Sequence, residues 1–306
     1  METEKKIPMK PPRLALGDTI GIVAPASPFS QERFNKGVAV LKSMGFRVSF
    51  DDDIFIKQGY LAGTDAQRAD FINRLFADQE IKAIICARGG FGAMRVLALL
   101  DYEAIKKHPK IFVGFIDISA LLSVLDTRCG LVAFHGPMVT TLADAGQETK
   151  EALLAALASD VKLELAPANG RVIKPGRASG PIAGGNLTTL CHLVGTPFAP
   201  SYNGKIVFFE DKGEAAYRID RMLSQMKLAG CFEGLAGLVL GSFEDCGEFD
   251  EVCRITAEMF KDAGIPVLAG FDIGHGKTNI TIPLGIEATL DEDQQRLTFH
   301  ETATAD

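Results

Sequence analysis

"KIFVGFIDISALLSVL", residues 110–125, decides how the rest of the chain is read. Residues 110–115 form a short apolar run with the content of a buried strand, and its regularity breaks at Gly114. A helical pattern opens with Asp117 near its start, which leaves a strand–turn–helix corner with Ile116 at its tip. Serine hydrolases built on α/β sheets hold their nucleophile at such a corner, often with the residue at positive φ. Isoleucine has no group that can attack a carbonyl. The corner poses three alternatives: an enzyme, a disabled enzyme, or an ordinary core turn.

Outward from that corner, the first half alternates strand and helix signals. "TIGIVAP" (19–25) is an apolar run closed by proline, and 30–46 has helical periodicity ended by Gly45. The helix expected over 64–79 starts with Thr64 and has Gln67 three residues later, a capping-box pattern. A strand over 82–88, a helix from about Phe91, the strand 110–115 and a helix from Asp117 follow. Apolar strands alternating with amphipathic helices predict a parallel sheet covered on both faces, with ligands at the carboxyl ends of its strands. Two glycine-marked corners lie there, "ARGGFG" (87–92) and "GFID" (114–117).

Residues 144–181 read as a helix followed by polar chain punctuated by Gly and Pro. The boundary falls near 145–175, dividing the chain into an N-terminal domain (1–150), a linker (151–174) and a C-terminal domain (175–306). In the last, 180–195 reads as a strand, a glycine turn and a short helix. A strand (205–211), a helix (214–230), a buried strand (234–243) and a terminal hairpin or meander complete an α+β or barrel-like unit.

The chain has 306 residues, 47% of them hydrophobic and 23% charged, enough for two ordinary domains with ample core. A net charge of −7 argues against nucleic acid as the main partner, because phosphate contacts need clustered Lys and Arg. No apolar run approaches the roughly 20 residues of a membrane span. The N-terminal stretch 1–18 has charges and prolines but no apolar h-region, so no secretory signal is expected. The six cysteines show neither CxxC nor zinc spacing, and reduced core thiols in a cytoplasm are the simplest reading.

Five histidines are candidates for chemistry. His108 sits in a surface turn, His300 near the C-terminus, and His192 in an apolar helix pattern that suggests packing. His135, in "AFHGPM", follows a strand and is an intermediate case. His275 is flanked by glycines in "FDIGHGKTNITIPLG", although a lone loop histidine is more often structural than catalytic. Glu210 closes an apolar strand, where an acid is costly to bury unless paired and could orient an imidazole. The alternative is that Glu210 and Asp211 merely begin a solvated loop. Glu214, Arg218, Asp220 and Arg221 have the spacing of ion pairs along one helix face. "ARGGFG" lacks the Lys-Ser/Thr of a phosphate loop and the GxGxxG spacing; its N–H groups could form an oxyanion hole, or only a tight turn.

Seven pieces in order resemble the LD-carboxypeptidases of serine-peptidase family S66, which include muramoyltetrapeptide carboxypeptidases and microcin C immunity proteins. They are "GDTIGIVAPAS" (17–27), "ARGGFGAMRVL" (87–97), "GFIDISALL" (114–122), "FHGP" (134–137), "GGNLTTL" (184–190), "FFEDKGEAAYRIDRML" (208–223) and "GHGKTNITIPLG" (274–285). The resemblance implies an α/β fold: a Rossmann-like, parallel-sheet N-terminal domain carrying the nucleophile corner, and a smaller barrel-like C-terminal domain. It implies a Ser-Glu-His triad with His275 as general base and Glu210 as its orienting carboxylate. The oxyanion donors would be the backbone N–H groups of Gly90 and Asp117. It implies no metal or cofactor, a homodimer in the cytoplasm, and a murein tetrapeptide that loses its terminal D-Ala during peptidoglycan recycling.

The family has serine at the corner where this chain has Ile116. Losing a nucleophilic serine can cost on the order of 10⁶ in kcat, so the chain as written is expected to be inactive or impaired. The alternatives are a non-catalytic binder of peptidoglycan fragments and a microcin C-type immunity peptidase acting on an aminoacyl-nucleotide. Ser119, three positions along the helix, is expected to point away from the corner. Glu210 and His275 are expected to meet across the interdomain cleft facing Ile116, and Ile116 is expected to keep a strained, positive φ.

Overall fold

The computed structural model describes residues 7–306; the opening of the stretch read above for a secretory signal lies outside the described residues. Five short strands form a parallel sheet: β1 (Thr19–Val23), β2 (Arg47–Ser49), β3 (Ile81–Cys86), β4 (Ile111–Gly114) and β5 (Phe134–His135). Their order is 2-1-3-4-5, so the winding direction reverses between β1 and β3. In sheets of this kind ligands bind at such a reversal, beyond the carboxyl ends of the strands, and the loop 87–92 leaves β3 at that end. Helices Gln31–Ser43 and Asp65–Ala77 form where the 3.6-residue periodicity predicts them. The Thr64–Gln67 capping box closes the start of the second.

The second half builds β6 (Glu164–Leu165), β7 (Arg171–Lys174), β8 (Arg177–Asn186), β9 (Ile206–Lys212), β10 (Gly237–Glu244) and β11 (Val267–Ala269). β12 (Ile282–Pro283), β13 (Glu287–Asp291) and β14 (Arg296–Phe299) complete the strands. The second sheet runs 6-14-13-8-9-10-11-7. Its edge strands, β6 and β7, are joined only by residues 166–170. A flat sheet of that order would separate them by about 34 Å, whereas the connection reaches about 21 Å fully extended. The sheet must therefore curl toward closure, which is the barrel-like character expected of this half. β8 makes the bend, pairing through 177–181 with β13 and through 182–186 with β9.

Several local expectations change. Residues 151–174, read as a linker, contain the end of helix Gln147–Ala158 and both edge strands of the second sheet. The glycines at 184–185 sit inside β8 rather than in a turn. A Cβ on Gly184 would lie 2.0 Å from the Phe208 carbonyl oxygen, and one on Gly185 would lie 2.6 Å from Ser119 Oγ, so close approach selects glycine there. The helix expected from Phe91 is a 3₁₀ segment, Ala93–Leu99. β12, from the second half, pairs antiparallel with β5 and completes the first sheet, so the two halves share strands.

Arg68 connects this frame to the loops at the carboxyl end of the first sheet. It is fully buried on helix Asp65–Ala77, and its guanidinium donates to the carbonyls of Pro25 and Gly92 and to Asp65. One side chain thus ties together the loops leaving β1 and β3. Arg68→Met keeps the volume but leaves those acceptors without their donor. It should lower unfolding free energy by about 2–4 kcal/mol in denaturant melts. A loss below about 1 kcal/mol would mean that the loops hold themselves.

Candidate active site

The corner after β4 is built as its sequence suggested. Phe115 is extended, and Ile116 opens a 3₁₀ turn, Ile116–Ile118, that runs into helix Ser119–Val124. Ile116 has φ of 62°, a genuine outlier for a β-branched residue. Its surroundings enforce the strain. The Gly89 backbone packs so closely on Ile116 that a Cβ at Gly89 would lie 2.8 Å from Ile116 Cβ. Gly90, at φ 99°, is seated against Ser27 in the same way, and the Phe91 N–H donates to Ser27 Oγ at 3.0 Å. The loop carrying Gly90 and the turn carrying Asp117 are therefore in contact.

The Asp117 side chain adds a link that the sequence did not reveal. It is buried, and its Oδ2 accepts the Ala93 N–H at 2.6 Å, tying the corner to the end of the glycine loop. Burial pushes its carboxyl up to about 6, against the opposing pull of the Ala93 N–H and the Arg68 charge. Ser119 is no substitute nucleophile: it is fully buried, and its Oγ accepts the Asn186 N–H at 3.0 Å.

Glu210 and His275 meet. Glu210 lies near the end of β9 with no exposed surface, and its Oε2 is 2.6 Å from His275 Nδ1. Asp211 is also buried, accepting from Asn186 Nδ2 and from the N–H and hydroxyl of Thr188, so the solvated-loop alternative does not hold. Glycine makes the room. A Cβ on Gly274 would lie 2.3 Å from Glu210 Oε2, and one on Gly241 would lie 2.6 Å from the Ile273 carbonyl oxygen and 3.4 Å from Glu210 Cβ.

The loop bearing His275 is held by Asn279, whose Oδ1 accepts the Gly274 N–H at 3.0 Å and whose own N–H donates to Thr149 Oγ1 at 3.0 Å. His275 retains 13% side-chain exposure and packs edge-on against Phe115, with ring centroids 5.2 Å apart, which sets it beside the corner. Its Nδ1 is committed to Glu210, leaving Nε2 for a reacting group. Burial would raise the Glu210 carboxyl, but the two imidazoles facing it, His135 and His275, outweigh that and hold it down to about 2. Burial likewise acts to lower His275, yet the Glu210 carboxylate more than compensates, and the imidazole sits above its usual value.

The remaining histidines stand elsewhere, except one. His108 caps helix Tyr102–Lys107, and His300 Nε2 lies 2.8 Å from Thr289 Oγ1 in the terminal hairpin. His192, expected to be packed, is exposed at the end of helix Leu187–His192. His135 is fully buried, with Nε2 3.8 Å from Glu210 Oε1. Among the described residues no cluster of His, Cys, Asp and Glu could hold a metal ion.

Two outcomes follow from these environments. The folded state holds the Asp117 proton more tightly than the unfolded chain does, so the associated stability is present below about pH 4 and lost as pH rises through about 6. Asp117→Asn keeps an acceptor for Ala93 and cannot ionise. The difference in melting temperature, variant minus parent, should therefore grow from pH 4 to pH 6.5, and a flat difference would contradict the assignment. At the corner, the β-branched side chain adds to the clash of a positive φ, a share of the strain that a serine would not carry. Ile116→Ser should accordingly raise stability by about 1 kcal/mol in melts; a loss would show that the isoleucine has its own packing pocket.

The sequence and the fold both have known counterparts. The LD-carboxypeptidase N-terminal domain pattern matches residues 20–136, and the LD-carboxypeptidase C-terminal domain pattern matches residues 179–290. A Bacillus subtilis protein named "Probable murein peptide carboxypeptidase" is 38% identical over 92% of this chain and 91% of its own. The microcin self-immunity protein MccF, solved in complex with glutamyl sulfamoyl guanosine, superposes with a TM-score of 0.90 at 27% identity over 97% of this chain and 100% of that one. A muramoyltetrapeptide carboxypeptidase from Oxalobacter formigenes gives 0.80 at 29% identity over 92% and 97%. The chain belongs to the LD-carboxypeptidase family.

Proposed function

We propose that this chain is a serine-type LD-carboxypeptidase scaffold for an L,D-peptide with a free terminal carboxylate, such as a murein tetrapeptide ending in D-Ala, and that Ile116 withholds its hydrolytic step. The supporting observation is the Glu210–His275 hydrogen bond of 2.6 Å beside a corner still held at φ 62°. A fully buried carboxylate is expensive to keep, and its tuning of an imidazole matters only if that imidazole is to accept a proton.

With serine at 116, the hydroxyl oxygen attacks the carbonyl carbon of the L–D bond while His275 Nε2 accepts its proton. The N–H groups of Gly90 and Asp117 donate to the oxyanion. His275 then protonates the departing D-Ala amine, and water releases the acyl group by the same route. With Ile116 the first bond cannot form. Cytoplasmic peptidoglycan recycling and a homodimeric state belong to the same reading.

Ile116 itself favours a second reading, a binder that retains such peptides without cleaving them. An aminoacyl-nucleotide substrate is the third, suggested by the glutamyl sulfamoyl guanosine in the MccF complex. One experiment separates them: D-Ala release from the tetrapeptide by the chain as written and by Ile116→Ser, with an aminoacyl sulfamoyl nucleotide assayed in parallel. The serine variant should turn over the tetrapeptide, the parent should fall short by up to about 10⁶-fold, and His275→Ala should abolish nearly all of the gain. A folded serine variant inert on every L,D-peptide tried would overturn the reading. Tight tetrapeptide binding by the parent beside such an inert variant would support the binder.

A further inference from the structure

His135 takes no part in the proposed reaction, yet it is fully buried beside Glu210. It sits on β5, opposite Gly114 of β4 and Ile282 of β12, and its side chain is fully buried. Neither ring nitrogen has a hydrogen-bond partner, and neither does Glu210 Oε1. His135 Nε2 and Glu210 Oε1 lie 3.8 Å apart, beyond a hydrogen bond but within ion-pair reach. Buried polar atoms left unpaired are costly and uncommon, and these two face one another. The imidazole has little freedom to turn elsewhere. Phe115 and Phe208 meet it edge-on at centroid distances of 5.8 and 5.0 Å. Gly185 approaches its other side, where a Cβ would lie 3.7 Å from Cδ2.

We infer that His135 is a positioning residue: its Nε2–H holds Glu210 Oε1, so that Oε2 stays aimed at His275 Nδ1. The terminal torsion of a glutamate side chain is broad, and a single bond at Oε2 does not fix the carboxylate plane. A donor on the second oxygen does. Because β5 belongs to the first sheet and β9 to the second, the same contact also sets the carboxylate in register with the corner after β4. Packing alone would be served by an apolar residue, whereas this site places an imidazole nitrogen 3.8 Å from the one carboxylate oxygen that His275 leaves unused.

The inference has one test that depends on the proposed function and one that does not. In ¹⁵N-histidine-labelled chain as written, with no substrate, NMR should find His135 protonated on Nε2 and a low-field Nδ1 proton on His275. A bare Nε2 on His135 would overturn the inference whatever the enzyme does. In the Ile116→Ser background, His135→Phe should lower kcat by about 10- to 100-fold, the scale of one lost charge-assisted hydrogen bond, with KM within about twofold. His135→Gln, whose amide can donate from the place of Nε2, should recover much of the loss and preserve the low-field proton. If His135→Phe lowers the melting temperature but leaves kcat and the His275 proton unchanged, the residue is only structural and the inference fails. Should His135→Phe not fold, the tautomer and the Gln variant still decide. If Ile116→Ser is inert, the proposed substrate class fails while the NMR result stands on its own.

Discussion

A carboxylate at the end of a strand with no exposed surface is costly unless paired, and the imidazoles that face Glu210 come from both halves of the chain. His275 comes from the loop after β11, and His135 comes from β5 of the first sheet. Three features exist to let this happen. Gly274 and Gly241 leave out the side chains that would collide around the carboxyl group, and Asn279 braces the histidine loop against the helix Gln147–Ala158. One buried carboxylate is thus met by side chains from both the curled second sheet's half and the parallel first sheet.

The corner opposite is built from contacts that need no reactive group on residue 116. Gly89 packs on Ile116 Cβ and the Phe115 carbonyl, Asp117 binds the Ala93 N–H, and Arg68 joins Gly92 to Pro25. The positive φ is accordingly imposed from outside, and isoleucine occupies it at a cost instead of relaxing it. Geometry and reactivity separate here: a site can keep its shape after losing the atom that does the chemistry.

Local periodicity carried most of the fold. The runs 19–25, 82–88 and 110–115 are apolar without alternation because both faces of β1, β3 and β4 are covered, and the Thr64–Gln67 box marks its helix start because both bonds are local. The misreadings share a cause. Gly184 and Gly185 look like a turn in sequence, but glycine there answers the Phe208 carbonyl and Ser119, which are distant along the chain. His192 sits among apolar neighbours yet faces solvent, since its position at the end of a short helix was not legible from composition.

The site divides along the same line. The order of motifs, with glycines flanking His275 and Glu210 closing an apolar strand, named the pair and the altered corner, because residue identity and spacing along the chain are properties of the sequence. The burial of Arg68, the carboxyl of Asp117 bound across to Ala93, and His135 turned toward Glu210 were decided only by the tertiary structure. Those contacts join segments separated by tens of residues. Their energies depend on desolvation and distances of a few ångströms, which no local pattern encodes.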